Sequence, residues 1–282
     1  MTVGVVGLGR MGAAMAGTLA HKGADVLGFD VDPRARLRTL AQTVDELGDL
    51  WPRVRTVILS LPLPEHVEAV IGRLVAAGTA PTLVIDTSTS DPDVTVRLGA
   101  SLAAVGHRLI DAPVSGGPGG AAACSLAMMI GGDDEAVAAA RPILELVSSR
   151  LTHVGPLGSG HTAKLVNNVL CAGHILLAGE ALRMGQAAGT PLADLTAAVN
   201  GASGRSAVTE VNVPRWIASE TYDSGFTMAL MAKDLTLAER LAARTGLDLA
   251  LVRHVVDRWR ALVEVHGPDA DFNRAFLGDA AS

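Results

Sequence analysis

Cysteine is scarce in this chain, and Cys124 and Cys171 are the only two. They do not stand in any metal-ligand spacing, which argues against a structural metal and a disulfide-stapled secreted fold and favours a reducing compartment. We expect no bound metal. Clusters of lysine or arginine are also missing, and the formal charge of −6 with a pI near 5.7 would repel a phosphate backbone. Nucleic acid is therefore excluded as an expected partner. The start MTVGVVGLGR has neither the basic n-region nor the long apolar core of an export signal, and no apolar run reaches the roughly 18 residues of a membrane span. The expectation is a cytoplasmic protein with no membrane partner. Sequence repeats and low-complexity tracts are absent as well.

What is present is a 282-residue chain, 49% hydrophobic and 18% charged with 31 glycines, which is enough for two folded domains. From residue 2 to about 154, short β-branched runs alternate with helix-length segments: TVGVV, ADVLGFD, RTVILSL, TLVIDT, HRLIDAP, SLAMMI and LTHVG. That alternation predicts a sheet wrapped by crossover helices. Beyond Gly155 the pattern becomes helical, over 161–187 with Gly189 and Pro191 as stop signals, then at about 191–201, 206–219, 229–245 and 247–266. The sequence thus predicts an α/β chain: a Rossmann-type doubly wound sheet domain over 1–155 followed by an all-α helical domain over 156–282.

The segment VGVVGLGRMGAAMA sets Gly7, Gly9 and Gly12 in G-x-G-x-x-G spacing between a strand and a helix. Gly7 makes the tight turn, Gly9 admits a pyrophosphate, and Gly12 allows close helix–strand packing. Leu8, Arg10 and Met11 complete a loop whose free N–H groups face the phosphates. The next strand ends at Asp30, about 20 residues on, where a ribose-binding acid belongs. An aspartate there repels a 2′-phosphate, and Val31 follows it, so the spacing favours NAD. NADP stays open through Arg34 or Arg36.

In GHTAKLVNNVL, Lys164 and Asn168 are one helical turn apart and project from one stripe of an apolar helix. Taken alone, the pair reads more readily as a lysine at an exposed first turn and an amide bonded to a loop than as a catalytic pair. Four segments together, VGLGRMGAAMAGTL (6–19), DAPVSGG (111–117), GSGHTAKLVNN (158–168) and KDLTLA (233–238), resemble the β-hydroxyacid dehydrogenase family in that family's order. The resemblance implies that Lys164 is the catalytic lysine and that Asn168 helps to hold the substrate hydroxyl. It implies that Ser115, Gly116 and Gly117 grip the substrate carboxylate, and that Lys233 lies near the nicotinamide. Leu61, Pro62 and Thr89 match cofactor-contacting positions. The chain departs from the family pattern at Cys124, where a glycine is usual, which puts the fine shape of the loop behind the substrate in question.

The activity so implied is hydride transfer between NAD(H) and a short 3-hydroxy acid or semialdehyde carboxylate, with Lys164 as general acid/base; for this its amine must shed its proton. The expected partners are that small molecule and a second copy of the chain, as a homodimer or homotetramer paired through the apolar helix at 161–187. An imine reductase on the same fold is the alternative, and Lys164 counts against it; a non-catalytic dinucleotide-binding module is the other. The stretch 200–210, Phe226 and Arg205 are candidates for substrate discrimination, with Arg205 equally placed as a surface residue.

Overall fold

A computed structural model describes residues 2–39 and 41–279 of the chain. It divides into two compact units, 1–164 and 165–282.

The first unit is built on a nine-stranded sheet. Its strands are β1 (Thr2–Val6), β2 (Asp25–Phe29), β3 (Gln42–Thr43), β4 (Thr56–Leu59), β5 (Leu83–Asp86), β6 (Arg108–Asp111), β7 (Val114–Ser115), β8 (Leu126–Gly131) and β9 (Ser148–Gly155). They lie in the order β3-β2-β1-β4-β5-β6-β8-β7, with β9 on β8. The pairs from β3 through β6 are parallel, and β8 runs antiparallel to β6 and β7. The run 3-2-1-4-5-6 is the doubly wound dinucleotide-binding order, and it reverses direction between β1 and β4.

Alternate residues of the central strands enter two separate cores. Val3, Val5, Ile58, Ile85 and Ile110 face one side with Met15, Leu19, Ala140 and Leu144. Val6, Val57, Leu59, Val84 and Leu109 face the other with Leu50, Trp51, Ile71, Leu74 and Leu102. Both faces are therefore apolar, as a sheet covered on both sides requires. The covering helices are α1 (Arg10–His21), α2 (Pro33–Arg38), α3 (Pro64–Ala76), α4 (Pro92–Ala103), α5 (Gly117–Ala122) and α6 (Asp134–Leu144). Each fully buried leucine or isoleucine contributes about 1.5–3 kcal/mol to this packing. Asp32, Asp91 and Asp133 cap α2, α4 and α6 by accepting the N–H of Arg34, Asp93 and Ala136.

Helix α7 (Ser159–Ala187) leaves the first unit and enters the second. The second unit contains α8 (Leu192–Asn200), a π-helical segment (Val208–Ile217), α9 (Met228–Thr245), α10 (Ala250–His266) and a 3₁₀ segment (Phe272–Leu277). Ala172, Ile175, Ala178 and Leu182 of α7 fall at helical spacing into a core with Met228, Leu235, Trp259 and Phe276. By length and composition alone α7 could cross a membrane, but this stripe is what a core helix buries. The π-helical winding of 208–217 contains Pro214, which cannot donate to the usual helical ladder.

Candidate active site

At the C-terminal end of β1 the chain turns through Gly7, whose φ is +92° and where a Cβ would overlap the carbonyl oxygen of Ser60. A Cβ on Gly12 would overlap the carbonyl oxygen of Gly7, so α1 can close on β1 only with glycine there. At Gly9, the N-cap of α1, a Cβ would meet nothing within 4 Å, and no side chain caps the helix. Open space before uncapped N–H groups fits a pyrophosphate. Leu8 turns its side chain into the core, so only its backbone is available to a ligand.

The Asp30 carboxylate, at the end of β2, accepts the N–H of Leu8 at 2.6 Å and that of Asp32 at 2.8 Å. It therefore fixes the glycine loop. Val31 is exposed beside it. Arg36 donates to the Asp30 carbonyl at 2.6 Å and lies 3.5 Å from the Asp45 carboxylate. Its guanidinium is thus engaged locally, whereas Arg34 is exposed.

The next two sheet-edge turns are linked. Ser88 Oγ accepts the Leu61 N–H at 3.0 Å, and Ser88 N–H donates to Asp86 at 3.0 Å. Pro62 is exposed and Thr89 half-buried. The DAPVSGG motif is more ordered than a strand followed by a loose turn. Ser115 ends β7, paired with Ala127, and Gly117 opens α5. Helix α5 closes on a Schellman arrangement, in which Ser125 N–H donates to Gly120 O at 2.9 Å and Cys124 N–H to Ala121 O at 3.3 Å. The residue in the left-handed position is Cys124, with φ +54°. Glycine adopts that conformation without the strain a side chain brings. The thiol is half-buried.

Asp111, which opens the same motif, is fully buried and accepts the N–H of Gly158 at 2.8 Å and of His161 at 2.6 Å. Burial pushes its carboxyl above the usual range, while the His161 ring and these N–H donors pull the other way. DAPVSGG is thereby tied to the first turn of α7. Lys164, further along that helix, is only 8% exposed. Asn168, one turn beyond it, is 3% exposed and donates from Nδ2 to Asp234 Oδ2 at 2.5 Å. Asp234, itself buried, also meets Lys233 Nζ at 3.0 Å from its other oxygen. Within the second unit Asn168, Asp234 and Lys233 therefore form one chain of contacts.

Asp111 and Asp234 were not predicted as site residues, although both lie inside the motifs quoted above. Their signal was a carboxylate next to an apolar strand end or beside a lysine, and spacing alone does not assign its partner. Arg205 is exposed and meets Glu210 at 3.7 Å, and Phe226 packs edge-on against Phe272.

Residues 2–155 match the NAD-binding domain model of 6-phosphogluconate dehydrogenase, and residues 158–276 the model for NAD-binding of NADP-dependent 3-hydroxyisobutyrate dehydrogenase. The chain is 34% identical to a probable 3-hydroxyisobutyrate dehydrogenase of Mycobacterium tuberculosis, over 96% of this chain and 95% of the relative. An NAD-dependent L-serine dehydrogenase of Pseudomonas aeruginosa is also 34% identical, with the same coverage of each chain. The solved structure of the Mycobacterium tuberculosis 3-hydroxyisobutyrate dehydrogenase with L-serine superposes with a TM-score of 0.89 at 33% identity, covering 99% of both chains. On the glycine loop, the sheet order and these matches, the chain belongs to the β-hydroxyacid dehydrogenase family.

Proposed function

We propose that the chain oxidises a short 3-hydroxy acid, or reduces the corresponding semialdehyde carboxylate, using NAD(H), with Lys164 as the general acid/base. The observation that carries this reading is the burial of Lys164 and Asn168 one turn apart on a helix whose first turn is held by Asp111. Burying an amine and an amide on one helix face carries a desolvation cost, which a site that uses both groups accounts for.

A bound nicotinamide supplies the hydride acceptor or donor. In oxidation the Lys164 amine takes the proton of the substrate hydroxyl; in reduction it returns that proton to the carbonyl oxygen. Burial favours the neutral amine that the oxidative direction needs. Asn168 Nδ2 has two hydrogens, one of which is committed to Asp234, so the other can hold the substrate oxygen. Asp234 thus orients the Asn168 amide, and Lys233 balances its charge. Ser115 Oγ and the backbone N–H groups of Gly116 and Gly117 hold the carboxylate. Together these contacts fix the reacting carbon in line, the entropic part of catalysis. Leu8, Gly9, Arg10, Met11 and Gly12 take the pyrophosphate, Asp30 and Val31 the ribose, and Leu61, Pro62 and Thr89 the nicotinamide side.

The functional division we infer lies at residues 155–156, where β9 ends. The compact units divide further along because Asp111 holds the start of α7 to the sheet. A reducing cytoplasm fits the two free thiols. Self-association through α7 fits its exposed apolar stripe, Val166, Leu170, Leu177 and Met184.

The names of the relatives make 3-hydroxyisobutyrate and L-serine the first candidates. A spectrophotometric screen of short hydroxy acids and semialdehydes with NAD and NADP tests the reading. NADH formation from at least one 3-hydroxy acid is expected, and no reduction of either cofactor across the panel contradicts it.

A further inference from the structure

Around His161, one turn before Lys164 on α7, lies a buried set of titratable groups whose side chains take no part in the proton transfer above. The His161 ring has no exposure, Asp111 none, and Asp86 1%. His161 Nε2 is 3.1 Å from the Ser88 carbonyl, which can only accept, so Nε2 carries a hydrogen. Nδ1 is 2.8 Å from Thr95 Oγ, and that hydroxyl is also 3.1 Å from the Asp91 carbonyl. One hydroxyl hydrogen serves either neighbour. With the ring neutral, Thr95 donates to Nδ1; with the ring charged, Nδ1 donates to Thr95 and Thr95 donates to Asp91. Both protonation states are fully hydrogen-bonded. The charged groups facing the ring are Asp86 Oδ2 from β5 and Asp111 Oδ2 from β6, each at 3.8 Å.

Apolar side chains of similar volume would pack this space at least as stably as buried ionisable groups. The set has another property that packing alone does not need. Ser88, which accepts from His161, also holds the Leu61 N–H, and Asp86 holds the Ser88 N–H. The two turns assigned to the nicotinamide side and the first turn of α7 thus meet on one residue, Ser88, through its Oγ, N–H and carbonyl, and Lys164 follows His161 by one helical turn.

We infer that His161, through Thr95 and Ser88, is a positioning residue that sets both the place and the proton affinity of Lys164 relative to the cofactor turns. This rests on the dehydrogenase reading for its consequence in turnover, but not for its effect on the Lys164 amine. The chain has only three lysines, Lys22, Lys164 and Lys233, so their side-chain amines can be followed individually by NMR in lysine-labelled protein.

The test compares wild type with Thr95→Val, which removes the hydroxyl at constant shape, with Thr95→Ser, which restores it, and with His161→Gln. In Thr95→Val and His161→Gln we expect kcat with 3-hydroxyisobutyrate to fall about tenfold or more, while the Kd of NADH stays within about threefold. The Lys164 titration and the acidic limb of the kcat/KM profile should move together by about half a pH unit or more, and Thr95→Ser should recover both. Folded Thr95→Val and His161→Gln proteins with the wild-type Lys164 titration and pH profile overturn the inference. Displaced titration in an enzyme that reduces neither cofactor supports the positioning and overturns the dehydrogenase reading instead.

Discussion

Asp111 accepts the backbone N–H of His161 at 2.6 Å, joining the end of β6 to the first turn of the helix that carries Lys164. The carboxylate sits where that helix presents unpaired N–H groups, and it is fully buried.

That burial has a pH consequence. The Asp111 carboxyl is held above its ordinary range, so the folded state binds its proton more tightly than the unfolded chain. The stability so gained is complete below the ordinary carboxylate range and is lost as pH rises through the raised folded value. The difference in unfolding free energy between wild type and Asp111→Asn should therefore be largest at acid pH. It should narrow toward neutrality, by at most about 1.4 kcal/mol per pH unit for one group. Urea titrations across this range measure it, and a difference that widens with rising pH contradicts the assignment.

Asp30 braces the Leu8 N–H, and in the proposed function the same carboxylate faces the ribose. Asp30→Ala should lower the ratio of kcat/KM for NAD over NADP by about tenfold, the loss of one charge-assisted contact. An unchanged ratio, or a wild type that prefers NADP, removes Asp30 as the selector.

Cys124 holds a left-handed position at φ +54°. Relief of that strain, worth about 1–2 kcal/mol, exceeds the added chain entropy of glycine, about 0.5–1 kcal/mol. Cys124→Gly should raise the denaturant midpoint without changing the slope. A lowered midpoint would mean that the thiol's packing outweighs its backbone strain.

On α7, Leu170, Leu177 and Met184 recur every seven residues and are exposed, with Val166 one turn before. A seven-residue apolar repeat along a helix about 43 Å long fits the proposed self-association through α7. Sedimentation at micromolar concentration should give a dimer or tetramer, and Leu177→Lys should shift it toward monomer. A monomeric wild type excludes this interface.

Much of this molecule was legible in its sequence, for stated physical reasons. The central strands announce themselves by β-branched runs of four or more residues, and the long helices by apolar spacing with Gly189 and Pro191 as a stop. Strands β3 and β7, two residues each, are too short to show any period. Helix α5 is written in Gly-Pro-Gly-Gly, which reads as a turn and becomes helical only against β8 and α1. The π-helical winding at 208–217 has the same apolar spacing as an ordinary helix. The glycine turn between β1 and α1 was legible because its spacing is local. The Asp111–His161 and Asn168–Asp234 contacts span 50 and 66 residues, and only the fold brings those partners together.

Replacement of Lys164 by alanine, followed by steady-state turnover and NADH binding on the same preparation, tests the central claim most directly. Turnover should fall by about two orders of magnitude or more while the Kd of NADH stays near the wild-type value, as expected for a lost acid/base. Near-normal kcat in a folded Lys164→Ala protein would contradict it.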